Sequence, residues 1–218
     1  MRAIRVLLAD DHAIVREGLR LLLELQPDIE IVAEAADGRE ALRQAKRLRP
    51  DIVILDVAMP ELNGIDVAER IHALGLPIRS IILSMYSTKD HIYRALRAGA
   101  SGYLLKEAAA SELLGAVREV IAGRRYISSK VSDEIVQGFF HPSSYAELAT
   151  PLERLSSRER EVLQLAAEGK SSVEIGRLLF LSPKTVDTYR SRLMHKLELS
   201  DIASLVRFAI QHGIVSAE

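Results

Sequence analysis

The chain has 218 residues, of which 48% are hydrophobic and 27% charged, with no cysteine and a formal net charge of −1. That length is comfortable for two domains, the composition is that of an ordinary globular protein, and the lack of cysteine excludes disulfides, thiolate zinc sites and a catalytic thiol. The first apolar run, Ile4 to Ala9, is too short for a signal peptide, and no run approaches the ~18 residues of a membrane helix, so a soluble cytoplasmic protein with no membrane partner is expected.

The first half alternates short apolar runs with amphipathic stretches. Residues 4–9 predict a strand that ends at Asp10, Asp11 and His12. Ile14, Val15, Leu19, Leu22, Leu23 and Leu25 then recur at helical spacing until Pro27. Residues 29–36 predict a second strand, Asp37-Gly38 a turn, and Ala41, Leu42, Ala45 and Leu48 a helix that stops before Pro50. The continuous apolar run Ile52 to Leu55 has the character of a parallel strand covered on both faces, and it stops on Asp56. Met59-Pro60 and Asn63-Gly64 mark a loop before a helix over 64–74. A fourth strand (79–84), a helix over 88–98 stopped by Gly99, and a fifth strand (102–105) ending at Lys106 follow. Ser111 is placed to cap a fifth helix that buries Leu113, Leu114, Val117, Val120 and Ile121. Five strands alternating with five helices predict an α/β domain over residues 1–122, a parallel sheet wound with helices on both faces.

From Gly123 the pattern changes. Tyr126-Ile127-Ser128 leads into a short helix over about 130–140, and the aperiodic stretch from His141 to Tyr145 reads as linker, so residues 123–150 are assigned to a connection. Residues 151–218 predict a small all-α domain of four helices. Ser156 or Ser157 caps the first and Gly169 ends it. After the second helix, Leu181-Ser182-Pro183 makes a tight turn with Ser182 as N-cap and Pro183 at the first helical position. The third helix runs to about 197 and a last one covers 201–212, which is the helix-turn-helix pattern. Residues 1–122 carry 16 Lys/Arg against 18 Asp/Glu, whereas residues 182–197 hold Lys184, Arg190, Arg192 and Lys196 against Asp187 alone, a net of +3 that hints at nucleic acid.

In open α/β sheets ligands bind outside the carboxyl ends of the strands. Asp10, Asp11, Asp56, Ser84 and Lys106 all fall there. Taken singly, each is as well explained as a cap, a turn residue or a solvated charge. Taken together, three carboxylates that repel one another call for a hard divalent cation such as Mg²⁺. A hydroxyl and an ammonium beside them suit a phosphoryl group, and a carboxylate can act as its acceptor. None of the six histidines, His12, His72, His91, His141, His195 and His212, has ligand spacing, and none is read as a metal ligand.

On these motifs, Asp10-Asp11, Leu55-Asp56-Val57-Ala58-Met59-Pro60, Asn63-Gly64, Ser84 and Lys106, residues 4–122 resemble the receiver domain of two-component response regulators. The resemblance implies a flavodoxin-like fold with Asp56 as phosphoacceptor, and Mg²⁺ held by Asp10, Asp11, Asp56 and the backbone carbonyl of Ala58. It further implies Ser84 as switch hydroxyl, Tyr103 as switch aromatic, and the phosphohistidine of a histidine kinase as donor. Two departures stand out: Glu107 follows the lysine where receivers commonly have proline, and the bulky Met85 and Tyr86 follow Ser84, which raises the expectation that they shield the phosphoryl group from water. A phosphohydrolase with an Asp nucleophile is the competing enzymatic reading. Such enzymes usually carry a second Asp two residues on as general acid, and here that position is Ala58.

Residues 155–212 resemble the LuxR-type helix-turn-helix of NarL/FixJ regulators, on Leu155-Ser156, Arg158-Glu159, Glu161-Val162-Leu163, Gly169, Glu174-Ile175, Leu178, Leu181-Ser182, Lys184-Thr185-Val186 and Lys196-Leu197. The third helix has an apolar stripe at Val186, Leu193 and Leu197 and a polar opposite face of a size that fits the major groove of double-stranded DNA. The resemblance puts Asp187, Thr188 and Ser191 at base-reading positions, with Lys184, Thr185, Tyr189, Arg192 and Lys196 toward phosphates, which position without specifying. Asp187 either accepts from a cytosine amino group or pairs with Arg190 and contacts no base. The combination implies a transcription regulator, not an enzyme, that binds DNA as a homodimer when phosphorylated.

Overall fold

The computed structural model describes residues 2–131 and 151–216, and the chain folds as two compact units, residues up to 142 and from 143 on. The linker at 141–145, and all but the first turn of the helix expected over 130–140, lie outside the described residues.

The first unit is a parallel sheet between two helical layers. Its strands are β1 (Ile4–Ala9), β2 (Ile29–Ala35), β3 (Ile52–Asp56), β4 (Arg79–Ser84) and β5 (Gly102–Leu105), in the spatial order 2-1-3-4-5. A sixth strand, β6 (Tyr126–Ile127), extends it beyond the five expected, pairing parallel to β5 through Tyr126 N–H to Ser101 O and Ser128 N–H to Tyr103 O. Two residues are too few for an alternation pattern to betray a strand. The helices are α1 (Ala13–Glu24), α2 (Gly38–Leu48), α3 (Gly64–Ala73), α4 (Lys89–Arg97) and α5 (Ala109–Ile121).

Because side chains alternate across each strand, the sheet feeds two separate cores. Leu7, Val53, Leu55, Ile82 and Tyr103 pack with Ala41, Leu42, Ile65, Val67, Ile71 and Ile92 of α2, α3 and α4. Val6, Leu8, Ile52, Ile54, Ile81 and Leu104 pack with Leu19, Leu23, Leu113, Val117 and Val120 of α1 and α5. Strand order reverses at β1, whose two neighbours are β2 and β3, so the crevice at the carboxyl ends of β1 and β3 is the topological switch point of the sheet.

One helix start needs correction, and α1, which forms where expected, buries only part of its apolar set. On α1 the buried face is Leu19 and Leu23, with Val15 and Leu22 partly covered, whereas Ile14 is 88% and Leu25 76% exposed. At 100° per residue Ile14 and Leu25 fall with Leu21 on the opposite side from Leu19. Ser111 is not the cap of α5. A 3₁₀ turn, Lys106–Ala108, winds directly into the helix at Ala109, and Ser111 Oγ donates to Ala108 O from inside the first turn.

The second unit packs α6 (Ser157–Ala167), α7 (Ser172–Leu179), α8 (Pro183–Lys196) and α9 (Ile202–Gln211) around Leu155, Val162, Leu163, Leu165, Ile175, Leu179, Val186, Leu193, Leu205 and Ala209. Capping boxes start α6 (Ser156 with Glu159) and α7 (Ser171 with Glu174), and Ser182 caps α8 with Pro183 at its first position. The turn between α7 and α8 is three residues long, and Phe180 enters it in the left-handed region at φ 57°.

Gly38 and Gly64 allow the loop after β3 to close. A Cβ on Gly38 would lie 1.7 Å from the backbone oxygen of Leu62, and one on Gly64 2.0 Å from that of Asp56, while a Cβ on Gly18 meets nothing within 4 Å. Alanine is favoured over glycine in helices by about 1 kcal/mol. Gly18→Ala is therefore expected to raise the urea midpoint slightly, whereas Gly38→Ala and Gly64→Ala each lower stability by roughly 2 kcal/mol or more. Circular dichroism against urea checks this, and equal midpoints for all three variants would contradict the close approach.

Candidate functional site

The acidic pocket is built from three strand ends. Asp10 follows β1 and is fully buried; its Oδ1 accepts the N–H of His12, the residue that starts α1. Asp56 closes β3, also buried, and the loop beyond it is held by Val57 N–H to Leu83 O and Gly64 N–H to Val57 O, both 3.0 Å. Lys106 leaves the end of β5, and its Nζ lies 2.8 Å from Asp10 Oδ2 and 2.9 Å from Asp56 Oδ2 with only 11% of the side chain exposed. No peptide bond among the described residues is cis, so Lys106 reaches both carboxylates with Glu107 behind it in an ordinary trans linkage.

Asp10, Asp11, His12 and Asp56 each offer a donor atom, all within 4.8 Å of one another. His12, whose spacing marks it as no metal ligand, has its Nδ1 2.8 Å from Asp11 Oδ1 and 3.4 Å from Asp10 Oδ1. Partial burial works against protonation of His12, but Asp11 and Asp10 outweigh it and raise the imidazole above its ordinary value. Burial pushes the Asp56 carboxyl up to about 6, and Asp10 and Asp11 add to this, against the pull of Lys106. Burial likewise opposes the charge of Lys106, yet Asp56 and Asp10 raise its pKa overall. One ammonium thus answers two buried carboxylates, with a third beside them. The donor set, oxygens with one imidazole nitrogen, is compatible with a divalent cation.

Ser84 ends β4, fully buried, and its Oγ accepts the N–H of Tyr86 at 2.9 Å. Tyr103, on the neighbouring β5, is also fully buried, and its hydroxyl donates to Tyr86 O at 2.6 Å. Burial raises the Tyr103 phenol to about 12, so it is a neutral donor at physiological pH. The Tyr86 backbone therefore joins Ser84 to Tyr103. The Tyr86 ring stacks on His91 of α4, centroids 4.5 Å apart and 9° from parallel, and His91 Nδ1 is 2.7 Å from Thr88 Oγ1. Met85 is 74% exposed. The Tyr86 ring is thus engaged with α4 and the Met85 side chain is turned to solvent. Ala58 sits half-buried in the loop after β3.

In the second unit Lys184, Asp187, Thr188, Ser191, Arg192 and Lys196 are exposed on α8, while Thr185, Tyr189 and Arg190 are half-buried. Several are already engaged. Lys196 Nζ is 2.6 Å from Oε2 of the buried Glu159, which ties the end of α8 to the start of α6. Burial opposes ionisation of Glu159, but Lys196 and the Ser156 backbone and hydroxyl hold it below the usual carboxylate range. Thr188 Oγ1 donates to Lys184 O, and Thr185 Oγ1 lies 2.8 Å from Ser182 Oγ. Asp187 does not pair directly with Arg190: Ser172 of α7 donates to Asp187 Oδ1 and accepts from Arg190. Ser172 and Glu159 carry no sequence signal of this role, because their partners lie 15 and 37 residues away.

Residues 6–118 match the family model of the response regulator receiver domain, and residues 153–209 that of bacterial regulatory proteins of the luxR family. The chain is 39% identical over 213 residues to the transcriptional regulatory protein LiaR of Bacillus subtilis, covering 98% of this chain and 100% of LiaR. The signal receiver domain of the putative response regulator NarL from Mycobacterium tuberculosis is similar in structure, with 36% identity and a TM-score of 0.56 over 57% of this chain and 100% of that one. So is RcsB in complex with DNA, with 26% identity and a TM-score of 0.57 over 95% and 98% of the two chains. A further RcsB structure holds two dimers on two parallel DNAs, with 27% identity and a TM-score of 0.56 over the same shares. No helix among the described residues is long and apolar enough to cross a membrane. A receiver sheet with its acidic pocket, followed by a LuxR-type helix-turn-helix, makes this chain a member of the NarL/FixJ response regulators, DNA-binding transcription regulators of two-component systems and not enzymes.

Proposed function

We propose that the protein acts in the cytoplasm, that Asp56 is the phosphoacceptor, that the donor is the phosphohistidine of a histidine kinase, and that phosphorylation drives a homodimer onto double-stranded DNA. The observation that carries this is the Lys106 ammonium bridging Asp10 and Asp56 at 2.8 and 2.9 Å, at the switch point of the sheet. A carboxylate oxygen of Asp56 attacks phosphorus, the P–N bond breaks, and the imidazole leaves with the electron pair and takes up a proton. Lys106 then pairs with the phosphoryl oxygens in place of Asp56 Oδ2. Ser84 accepts from Tyr86 N–H and lies beside the Tyr103 hydroxyl, and its own hydroxyl turns toward the new oxygens. Asp10, Asp11, Asp56 and the Ala58 carbonyl are the residues that would hold Mg²⁺, which supplies charge compensation for the transferring group.

Ala58 offers no acid to drive hydrolysis, so the residues favour a stored phosphoryl group over turnover. Its charge attracts Ser84, and Ser84, Tyr86 and Tyr103 form one hydrogen-bonded set, so the surface of α4 and β5 responds. On α8, Lys184, Thr185, Tyr189 and Arg192 serve phosphates and Thr188 and Ser191 face base edges, with Lys196 divided between Glu159 and the backbone of DNA. The RcsB–DNA complex and the structure of two RcsB dimers bound to two parallel DNAs support this reading for a chain that aligns with them over nearly its whole length.

Acetyl phosphate with Mg²⁺ is expected to add one phosphoryl group to the wild-type chain by intact mass, none to Asp56→Asn and none after chelation. Lys106→Met should slow the labelling on the order of a hundred-fold. Equal labelling of Asp56→Asn would remove Asp56 from its role.

A carboxyl whose pKa rises from 3.8 to about 6 on folding binds its proton more tightly in the folded state. Its contribution to stability therefore declines as pH rises through that window. Asp56→Asn removes the penalty and should stabilise the first unit at pH 7 by roughly 1–3 kcal/mol, with a flatter pH profile between 4 and 6. Urea unfolding at several pH values measures this, and a less stable Asp56→Asn would contradict it.

A further inference from the structure

We propose that Asp187, held in place by Ser172, is the residue through which α8 selects a cytosine in the major groove, an inference that rests on the DNA-binding reading above. Asp187 is exposed on the first turns of α8, the helix that the DNA-binding reading puts in the major groove. A carboxylate there is repelled by phosphates unless the groove offers it a hydrogen-bond donor. The donors on base edges in the major groove are the amino groups of cytosine N4 and adenine N6.

The hydrogen bonds around Asp187 fit a reading role. Ser172, half-buried at the first position of α7, donates to Asp187 Oδ1 at 2.5 Å. The same hydroxyl oxygen lies 3.4 Å from Nη1 of Arg190, one turn further along α8. The bridge spans the two helices and fixes the rotamer of Asp187 before DNA arrives, which lowers the ordering cost of the contact. It also brings a guanidinium close enough to offset the repulsion between the carboxylate and phosphate. The bond from Ser172 occupies one lone pair of Oδ1 and leaves Oδ2 free to accept. An amide side chain reads adenine by engaging N6 and N7 together, which needs a donor that an ionised carboxylate lacks; the acceptor-only group matches cytosine N4. Thr188, the adjacent candidate reader, already donates its hydroxyl to Lys184 O. Asp187 is thus a specificity-determining residue beside Ser191, and Ser172 is its positioning residue.

The test is selection from a randomised duplex library by the full chain with Mg²⁺ and BeF₃⁻, together with the salt dependence of binding. The wild type is expected to enrich cytosine at one position of each half-site, by roughly five- to a hundred-fold over other bases. Asp187→Ala should lose that preference alone and keep the salt slope, because phosphate contacts set the slope. Asp187→Asn should move the preference toward adenine, Ser172→Ala should weaken it, and Ser172→Thr, which keeps a hydroxyl, should restore it. A wild type that binds with a steep salt slope but whose base preferences are unchanged in Asp187→Ala overturns this proposal and leaves DNA binding intact. Ser172→Ala with an undiminished cytosine preference overturns the positioning role. A wild-type chain that retains no DNA even at low salt overturns the DNA-binding reading, and this proposal with it.

Discussion

The ammonium of Lys106, suspended between Asp10 and Asp56, is the contact on which the rest of the receiver unit depends. Two carboxylates buried this deeply, with Asp11 beside them, repel one another and lose hydration, and each charge is costly without a partner. The sheet enforces the meeting. Apolar side chains on both faces of β1 and β3 fix the register, so the strands deliver their terminal residues to one crevice whatever the electrostatic cost. Lys106 offsets part of that cost, and what remains appears as the raised pKa of Asp56. A pocket left under-neutralised in this way is prepared for added positive charge and for a group that changes its own charge.

A change of charge in the pocket has a short route outward. Ser84 and Tyr103 sit on adjacent strands, both buried, and both bonded to the backbone of Tyr86. The ring of Tyr86 lies flat on His91 of α4. In the proposed phosphorylation, a shift of Ser84 toward new oxygens would pull on a loop also attached through a phenol and an aromatic stack. Interactions of this kind have few alternative arrangements, which suits a two-state response better than a graded one.

Much of this was legible in the residues. Asp10, Asp56 and Lys106 follow apolar runs short enough to be strands, and a parallel sheet has only one end at which its strands finish. The helix-turn-helix declared itself through local chemistry: a serine at 156 or 157, and Ser182 with Pro183, are start signals that act within four residues, whereas the capping box of Ser171 with Glu174 was found only in the structure. What stayed hidden depends on long-range contact or on too few residues. Tyr126–Ile127 is too short to show a period. Ile14 and Leu25 are apolar, but the angle that puts them in solvent follows from which face of α1 meets the sheet. Ser111 has the chemistry of a cap, yet the 3₁₀ turn from Lys106 starts the helix before it. His12 enters the acidic set because α1 begins on it, and no histidine spacing announces that. Lys196 reads as a phosphate contact until Glu159, buried and far upstream, is seen to hold it.

The central claim joins the two units: charge placed on Asp56 governs how the helix-turn-helix engages DNA. The most direct measurement is the affinity of the full chain for duplex DNA, at fixed salt and with Mg²⁺ present, with and without BeF₃⁻. Tighter binding together with a shift from monomer to dimer, both absent in Asp56→Asn, is the expected result. Affinity and oligomeric state that are the same with and without BeF₃⁻ would contradict it.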